Sequence, residues 1–499
     1  MAWADGSLYS ITMKRCRSMS RMFEITDGPF EPTWESLQNY ECPKWFKDAK
    51  FGIWSHWGPQ SVPMYGDWYA RNMYIEGTDQ YYYHWRRYGH PSEFGYKDIV
   101  KLWKAERFDP EGLMKLFVEA GAKYFVAQAV HHDNFDNWDS KHNPWNSVKV
   151  GPRKNIVRLW QEEAEKLGLP FGLSEHLAAT YSWFSYNKGA DKTGPFAGVA
   201  YDGNDPRYED LYLPNRDEFE KEKKPWYTDN PWWHQKWFDR MKDLIDQHHP
   251  DLLYSDGHLP FGEIGLHVVA HLYNTNAKVH GGTGRAVYTQ KHLNEQEFKV
   301  GILDIERGGQ TDISPDPWQT DTSIGDWFYN VRDRYKSASE IIETLIDIVS
   351  KNGNLLLNVP QKPDGTLDDE CTYILKEISK WIRVNGDGIY ATRPWRVYGE
   401  GPTVGKSGSF SESALGWTSE DYRFTSKGRT IYAFQMRWPD NGKSLIRSLS
   451  TDQAPRIRRA RLLGSDMELR FEQGNYGLYL ELPNEKLSDF PHCFELTTD

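Results

Sequence analysis

Cysteine is nearly absent from this chain: four stand among 499 residues, at positions 16, 42, 371 and 493. They are far apart and form no C-x-x-C pair. That excludes a disulfide-dense scaffold and a cysteine zinc site, and they read as free thiols with room for one long-range disulfide. Positive charge is also in short supply. The formal net charge is -11 and the pI is near 5.9, so no basic face is expected and nucleic acid is excluded as a partner. No apolar run approaches the roughly 18 residues of a membrane span. Residues 1–22 contain no apolar h-region and so are not a secretory signal. They are Arg-rich and acid-poor near their end, and they read as a transit-like or, preferably, vector-derived or over-extended segment. As written, the chain is expected in the cytoplasm, or in the periplasm or outside the cell if a leader was removed. There is no G-x-S-x-G elbow, no H-E-x-x-H pair, no solenoid repeat and no low-complexity tract. Gly281-Gly-Thr-Gly284 lacks the strand–helix context of a phosphate loop.

What is abundant is aromatic surface: 22 Trp, 29 Tyr and 23 Phe. The densest run, Phe51 to Tyr74, interleaves rings with His56, Asp67 and Arg71. A core needs apolar bulk, but it does not need amphipathic rings beside histidines and carboxylates. Sugars do. A pyranose rests its C–H face on a ring, and its hydroxyls bond to His, Asp, Glu and Trp N–H. Composition alone leaves a carbohydrate-active protein and an aromatic-rich core nearly even.

One unit recurs along the chain: an amphipathic helix, a Gly or Pro stop, a short apolar strand, then polar residues. Leu113, Leu116, Phe117 and Ala120 precede Gly121 and the strand Tyr124–Val130. Ile156, Leu159, Trp160 and Leu167 precede Gly168 and the strand at 169–173. The stripe from Trp237 to His248 ends at Pro250, before Leu252-Leu-Tyr254. A capping box at Ser337 and Glu340 starts a further stripe, stopped at Gly353, before the strand at 355–359. Phe51–Trp54 and Val300–Leu303 read as two more buried strands.

Nearly all-apolar strands alternating with helices imply parallel strands covered on both faces. At least six in about 350 residues favour a closed (β/α)8-type barrel, in the α/β class, over an open sheet. Polar residues at strand C-termini then form the active site. His56, His131, His132, His176, Asp256 and Glu306 all fall there. Beyond Asn385-Gly-Asp-Gly388 the apolar period falls to two, as in Thr430–Met436, which points to a C-terminal antiparallel β-sandwich. The expected division is an extension at 1–30, a barrel at 31–387 and a sandwich at 388–499. Residues 186–230 read as a long loop over the barrel top, ending in the helix entry Asn230-Pro-Trp-Trp.

Glycosidic hydrolysis needs two carboxyl groups, one a nucleophile or base and one an acid of raised pKa. Asp256 directly follows a buried strand and is the leading nucleophile; an Asp-Gly turn is the bland reading. Glu306, at the end of another strand, is the leading acid, weighed against a Glu306–Arg307 surface pair. Asp304, Asp312, Asp316 and Asp321 compete for that role. Adjacent His131 and His132 on an extended segment should point to opposite sides, so a metal is not expected, nor is any cofactor. Histidines donating to sugar hydroxyls fit better. His90, His142, His248 and His249 have no such placement.

Seven segments together resemble the α-L-fucosidases of glycoside hydrolase family 29. They are Lys50-Phe-Gly-Ile-Trp-Ser-His-Trp-Gly58, Trp68-Tyr-Ala-Arg-Asn-Met-Tyr74, the His131–Ser140 segment, Tyr254-Ser-Asp-Gly257, Ser323-Ile-Gly325, Asn352–Val359 and Arg423–Gly428. The resemblance runs in order from about Trp34 to the last strands. It implies a retaining exo-glycosidase that removes terminal α-L-fucose from fucosylated glycans through a covalent fucosyl-enzyme, with Asp256 as nucleophile.

The same resemblance carries fucose binding onto His56, Trp68, His131 and His132. Asp67 stands where many members have Glu, and Tyr254 where many have Trp. His176 joins the set with its role open, as is that of Glu175. One subgroup's acid falls in a Trp-Glu-Thr segment, where this chain has Trp318-Gln319-Thr320; the other's corresponds to Glu306, which Gln319 therefore favours. Gln290-Lys291 lies near an Arg of some members. The alternatives are a glycosidase for another L-sugar, such as an α-L-galactoside, or a non-catalytic carbohydrate-binding protein. Linkage, aglycone and oligomeric state stay open.

Overall fold

The computed structural model describes residues 22–291 and 300–499. Eight strands close a barrel in sequence order: β1 (Phe51–Ser55), β2 (Tyr124–Val130), β3 (Phe171–Glu175), β4 (Leu252–Ser255), β5 (Val287–Gln290), β6 (Ile302–Glu306), β7 (Trp318–Ser323) and β8 (Gly353–Asn358). All neighbours are parallel, and β1 closes on β8 with Ile53 opposite Leu357. Helices such as Pro110–Glu119, Ile156–Lys166, Pro231–His248 and Ala338–Ser350 cover the outside. A barrel covered in this way explains why its strands read as apolar runs.

Local chemistry sets the boundaries. Asn230 caps the helix it precedes, accepting the Trp232 N–H at 3.0 Å, and Ser337 and Glu340 form the reciprocal capping box. Such caps contribute about 1 kcal/mol each. Gly121 and Gly168 take the left-handed conformation that ends their helices. After Ser350 the stop is different from the one expected. Asn352, not Gly353, is left-handed at φ 74°. Gly353 begins β8, where a Cβ would lie 2.7 Å from the Trp318 ring and 2.6 Å from Ile348. Close packing, not backbone handedness, requires glycine there.

Two barrel strands and several helices, Glu263–Val279 among them, lie outside the sequence reading. β5 has only four residues. β7, Trp-Gln-Thr-Asp-Thr-Ser, is polar yet buried throughout, its polar side chains bonded inside the barrel: Gln319 to Asp304 and Asp321 to Tyr254. The helix Glu263–Val279 is buried nearly all round and so presents no amphipathic stripe. Residues 23–30 cover one side of it: Thr26 N–H donates to His271 Nδ1 at 3.0 Å, and Phe30 N–H to Asn274 Oδ1 at 2.9 Å. Phe23 packs edge-on against Phe238.

The second unit holds two antiparallel sheets. One has the order β13–β16–β11–β10–β9, from β9 (Arg393–Glu400), β10 (Tyr422–Lys427), β11 (Thr430–Gln435), β13 (Ile457–Leu462) and β16 (His492–Thr498). The other is β12 (Lys443–Ile446), β15 (Gly477–Glu481) and β14 (Phe471–Gly474). Phe424, Ala433, Leu462, Leu478, Phe494 and Leu496 share their core. The contact with the barrel is polar as well as apolar. Arg423 Nε lies 2.6 Å from Asp347, Arg437 pairs with Glu343 at 2.7 Å, and Trp381 Nε1 donates to the Pro491 carbonyl at 2.6 Å. Cys42, Cys371 and Cys493 are free thiols; Cys16 lies outside the described residues.

Candidate active site

The C-terminal strand ends surround a cavity of about 410 Å³. It brings together every residue the sequence singled out as a site residue: His56, Asp67, Trp68, His131, His132, His176, Tyr254, Asp256 and Glu306. Trp54, Trp226, Trp327, Lys291 and Asp321 complete most of the wall.

Asp256 leaves β4 in a turn that demands glycine next. Gly257 has φ 111°, and a Cβ there would lie 2.6 Å from the Tyr227 hydroxyl. That hydroxyl donates to the Asp256 carbonyl at 3.0 Å, and the Lys291 N–H donates to the Gly257 carbonyl at 2.7 Å. Glu175 supports the turn from below. It takes the Ser255 hydroxyl and the Leu177 N–H (2.8 Å), its own carbonyl accepts the Asp256 N–H at 3.1 Å, and burial pushes its carboxyl up to about 6. Its role, left open by the sequence, is therefore to shape the end of β4, and it does not line the cavity.

The Lys291 side chain reaches into the space between carboxylates. Its Nζ lies 3.0 Å from Asp256 Oδ1 and 3.6 Å from Asp321 Oδ2, and it contacts Glu306 Oε2. Burial works against both charges. At Lys291 the surrounding carboxylates, led by Asp256, win and hold the ammonium well above its usual range. At Asp256 burial is outweighed, above all by Lys291 and also by the hydrogen bond from His132, which hold the carboxyl well below the usual range. Glu306 goes the other way. Burial, with Asp321 and Asp256 nearby, raises it despite Lys291. Two carboxyls pushed apart by their surroundings have the chemistry that an acid and base pair requires.

The histidines are held by different partners. Gln60 Nε2 donates to His131 Nδ1 at 2.7 Å, while the Ala70 N–H fixes Gln60 Oε1 at 3.1 Å. The hydrogen of a neutral His131 is thereby left on Nε2, 3.9 Å from Asp67 Oδ1. His132 Nδ1 faces the His176 carbonyl at 2.6 Å and its Nε2 lies 3.2 Å from Asp256 Oδ2. Burial drives His56 and His131 well below the usual histidine range and His176 down to about 3, so these three are neutral rings. Both nitrogens of His56, Nδ1 of His176 and Oδ1 of Asp67 are buried without a protein partner. Groups of this kind bond a polyhydroxylated ligand.

The expectation that His131 and His132 point to opposite sides is overturned. Both line the cavity, with ring centroids 4.7 Å apart. The register slips between Gln128 and Val130, and β2 ends at Val130, so alternation does not extend to them. His56, His131 and His176 also converge, with ligand atoms within 4.8 Å of one another. These three could hold a metal, although the bond from Gln60 already occupies His131 Nδ1.

Rivals for the acid role separate cleanly. Asp312 and Asp316 are exposed away from the cavity. Asp304 is buried under it, bonded by Gln319 Nε2 at 2.6 Å. Gln319 also accepts from Tyr124 Oη at 2.8 Å and does not line the cavity, so it acts as an internal strut between β2, β6 and β7. Asp321 does line it and accepts from Tyr254 Oη at 2.9 Å. Arg307 is not paired with Glu306; it donates to the Gly325 carbonyl at 2.9 Å and covers the Trp327 ring.

Several residues of the site carry no clear sequence signal: Lys291 follows a strand too short to recognise, Gln60 stands behind the wall, Trp226 lies inside what reads as a plain loop, and Trp327 and Phe410 lie outside every motif. Lys291 was findable in principle, as the residue directly after a strand.

Comparison with known proteins agrees with this geometry. Residues 18–387 match the α-L-fucosidase family model and residues 417–497 the α-L-fucosidase C-terminal domain. Human tissue α-L-fucosidase is 30% identical over 488 residues, covering 94% of this chain and 91% of the human protein. An α-L-fucosidase of Dictyostelium discoideum is 26% identical, covering 95% and 96%. The solved structure of Thermotoga maritima α-fucosidase in complex with fucose superposes with a TM-score of 0.73 at 25% identity, covering 94% of this chain and all of that one. Matched over barrel and second unit alike, the chain belongs to the α-L-fucosidase family of glycoside hydrolases.

Proposed function

We propose that this α-L-fucosidase removes terminal fucose from fucosylated glycans with retention of configuration, through a covalent fucosyl-enzyme. Asp256 is the nucleophile and Glu306 the acid and then the base. The supporting observation is Lys291, shared by both carboxylates. The two oxygens that share this ammonium, Asp256 Oδ1 and Glu306 Oε2, lie within two hydrogen-bond lengths of each other, roughly 6 Å at most. That favours direct attack, which needs about 5–5.5 Å, over the wider spacing that admits a water.

The steps follow from the charges. The depressed Asp256 is an anion aimed at the anomeric carbon, and the raised Glu306 holds a proton for the departing oxygen. As Asp256 bonds to the sugar its negative charge disappears, which releases Lys291 toward Glu306, now a carboxylate. Glu306 then takes a proton from water as that water cleaves the ester. Neutral His56, His131 and His176, with Asp67, bind the ring hydroxyls, and Trp54, Trp68 and Trp327 supply apolar faces.

The test is a substrate panel: aryl α-L-fucoside, β-L-fucoside, α-L-galactoside and fucosylated oligosaccharides, with the first-formed sugar anomer read by NMR. Cleavage of α-L-fucosides to α-L-fucose supports the reading. Release of β-L-fucose first would overturn retention. An apolar wall discriminates weakly against an added hydroxyl, so slower α-L-galactoside cleavage is expected.

A further inference from the structure

Between β9 and β10 the chain leaves the second unit, crosses to the barrel mouth and returns. Its neck is closed by buried Asp421, which accepts the N–H groups of Thr403 (2.8 Å) and Thr418 (2.7 Å). The tip pairs with the chain just after β6. Gly408 N–H donates to the Gly309 carbonyl at 3.0 Å, Phe410 N–H to the Glu306 carbonyl at 2.8 Å, and Glu412 N–H to the Arg307 carbonyl at 2.8 Å. Contact is so close that a Cβ on Gly308 would lie 1.9 Å from the Gly408 carbonyl oxygen. Glu412 adds an ion pair with Lys336 at 2.9 Å and accepts the Thr322 hydroxyl at 3.0 Å.

This docking presents Ser409 and Phe410 to the catalytic cavity. Phe410 is 70% exposed and has φ 57°. A large side chain in that conformation is strained, and such strain persists where surrounding bonds impose it. Here a well-anchored segment holds an apolar ring in water, beside the residue that protonates the leaving oxygen.

We infer that Phe410 is the platform for the leaving-group sugar, so that the second unit sets which glycan the barrel accepts after fucose. This rests on Glu306 as the acid. A leaving oxygen within reach of Glu306 places the next ring beside the residue hydrogen-bonded to the Glu306 backbone, and a pyranose C–H face suits an exposed phenyl ring. The occupant is a pyranose linked through the fucosidic oxygen; fucose itself lies deeper, among the histidines. The role is in specificity, with no proton or bond handled by Phe410.

The experiment compares Phe410→Ala, Phe410→Trp and the wild type on two substrates. One is a fucosylated oligosaccharide; the other is α-L-fucosyl fluoride, whose leaving group has no ring. Phe410→Ala should lose roughly tenfold in kcat/KM on the oligosaccharide, with less than about twofold change on the fluoride and an unchanged inhibition constant for free fucose. Phe410→Trp should restore the oligosaccharide rate. Equal oligosaccharide rates in Phe410→Ala and wild type would overturn the inference. So would equal losses on both substrates, which would mean that the ring acts only by holding Glu306. Wild type that fails to turn over the fluoride would instead break the functional reading beneath it.

Discussion

Lys291 Nζ lies 3.0 Å from Asp256 Oδ1, and the same ammonium contacts Glu306. It lowers both carboxyls, so the sign of its removal is fixed. In Lys291→Met, burial acts unopposed by that charge and both carboxyls rise. With Asp256 as the proposed nucleophile and Glu306 as the proposed acid, the acidic limb of kcat/KM should move to higher pH with Asp256, and the basic limb with Glu306. Activity at the optimum should fall on the order of a hundredfold, as for loss of a preorganised charge. An unmoved acidic limb would show that Lys291 does not poise Asp256.

Glu306→Ala separates acid catalysis from everything else. Natural fucosides, whose leaving alcohols are weak acids, should slow by roughly 10²–10⁴-fold, and aryl fucosides with good leaving groups much less. The basic limb should vanish. Parallel losses on both substrate classes would move the proton donor elsewhere, with Asp321 the next to test because it alone of the rival aspartates reaches the cavity.

The convergence of His56, His131 and His176 calls for a metal test. Dialysis against a chelator should leave kcat/KM unchanged, since neutral rings with unpartnered nitrogens suit hydroxyls. Loss of activity restored by zinc would make these three residues ligands.

Gln60→Leu should raise the inhibition constant of fucose by roughly tenfold. Without the Nε2 donor, His131 Nδ1 is buried and unpaired, and its hydrogen is no longer fixed on the nitrogen facing the cavity. An unchanged constant would show that His131 does not depend on Gln60 for its orientation.

The barrel was legible because its walls obey simple patterns: apolar runs such as Tyr124–Val130 after helices stopped by Gly121 and Gly168. The site was legible for a related reason, since polar residues directly after such runs must sit at the barrel mouth. Legibility failed where a strand was short or polar. β5 hid Lys291, and β7, buried but written Trp-Gln-Thr-Asp-Thr-Ser, made Gln319 and Asp321 hard to tell apart; only their depth in the barrel does so. Period-two alternation misled at His131 and His132, because it holds only while the strand continues. Nothing local could place Phe410, which reaches the site from another unit of the chain.

The covalent role of Asp256 is the central claim, and azide rescue tests it most directly. Asp256→Gly is incubated with an aryl α-L-fucoside, with and without azide. The account predicts almost no turnover without azide, and with it formation of β-L-fucosyl azide, because azide attacks from the face that Asp256 vacates. Hydrolysis near the wild-type rate without azide, or an azide product of α configuration, would contradict it.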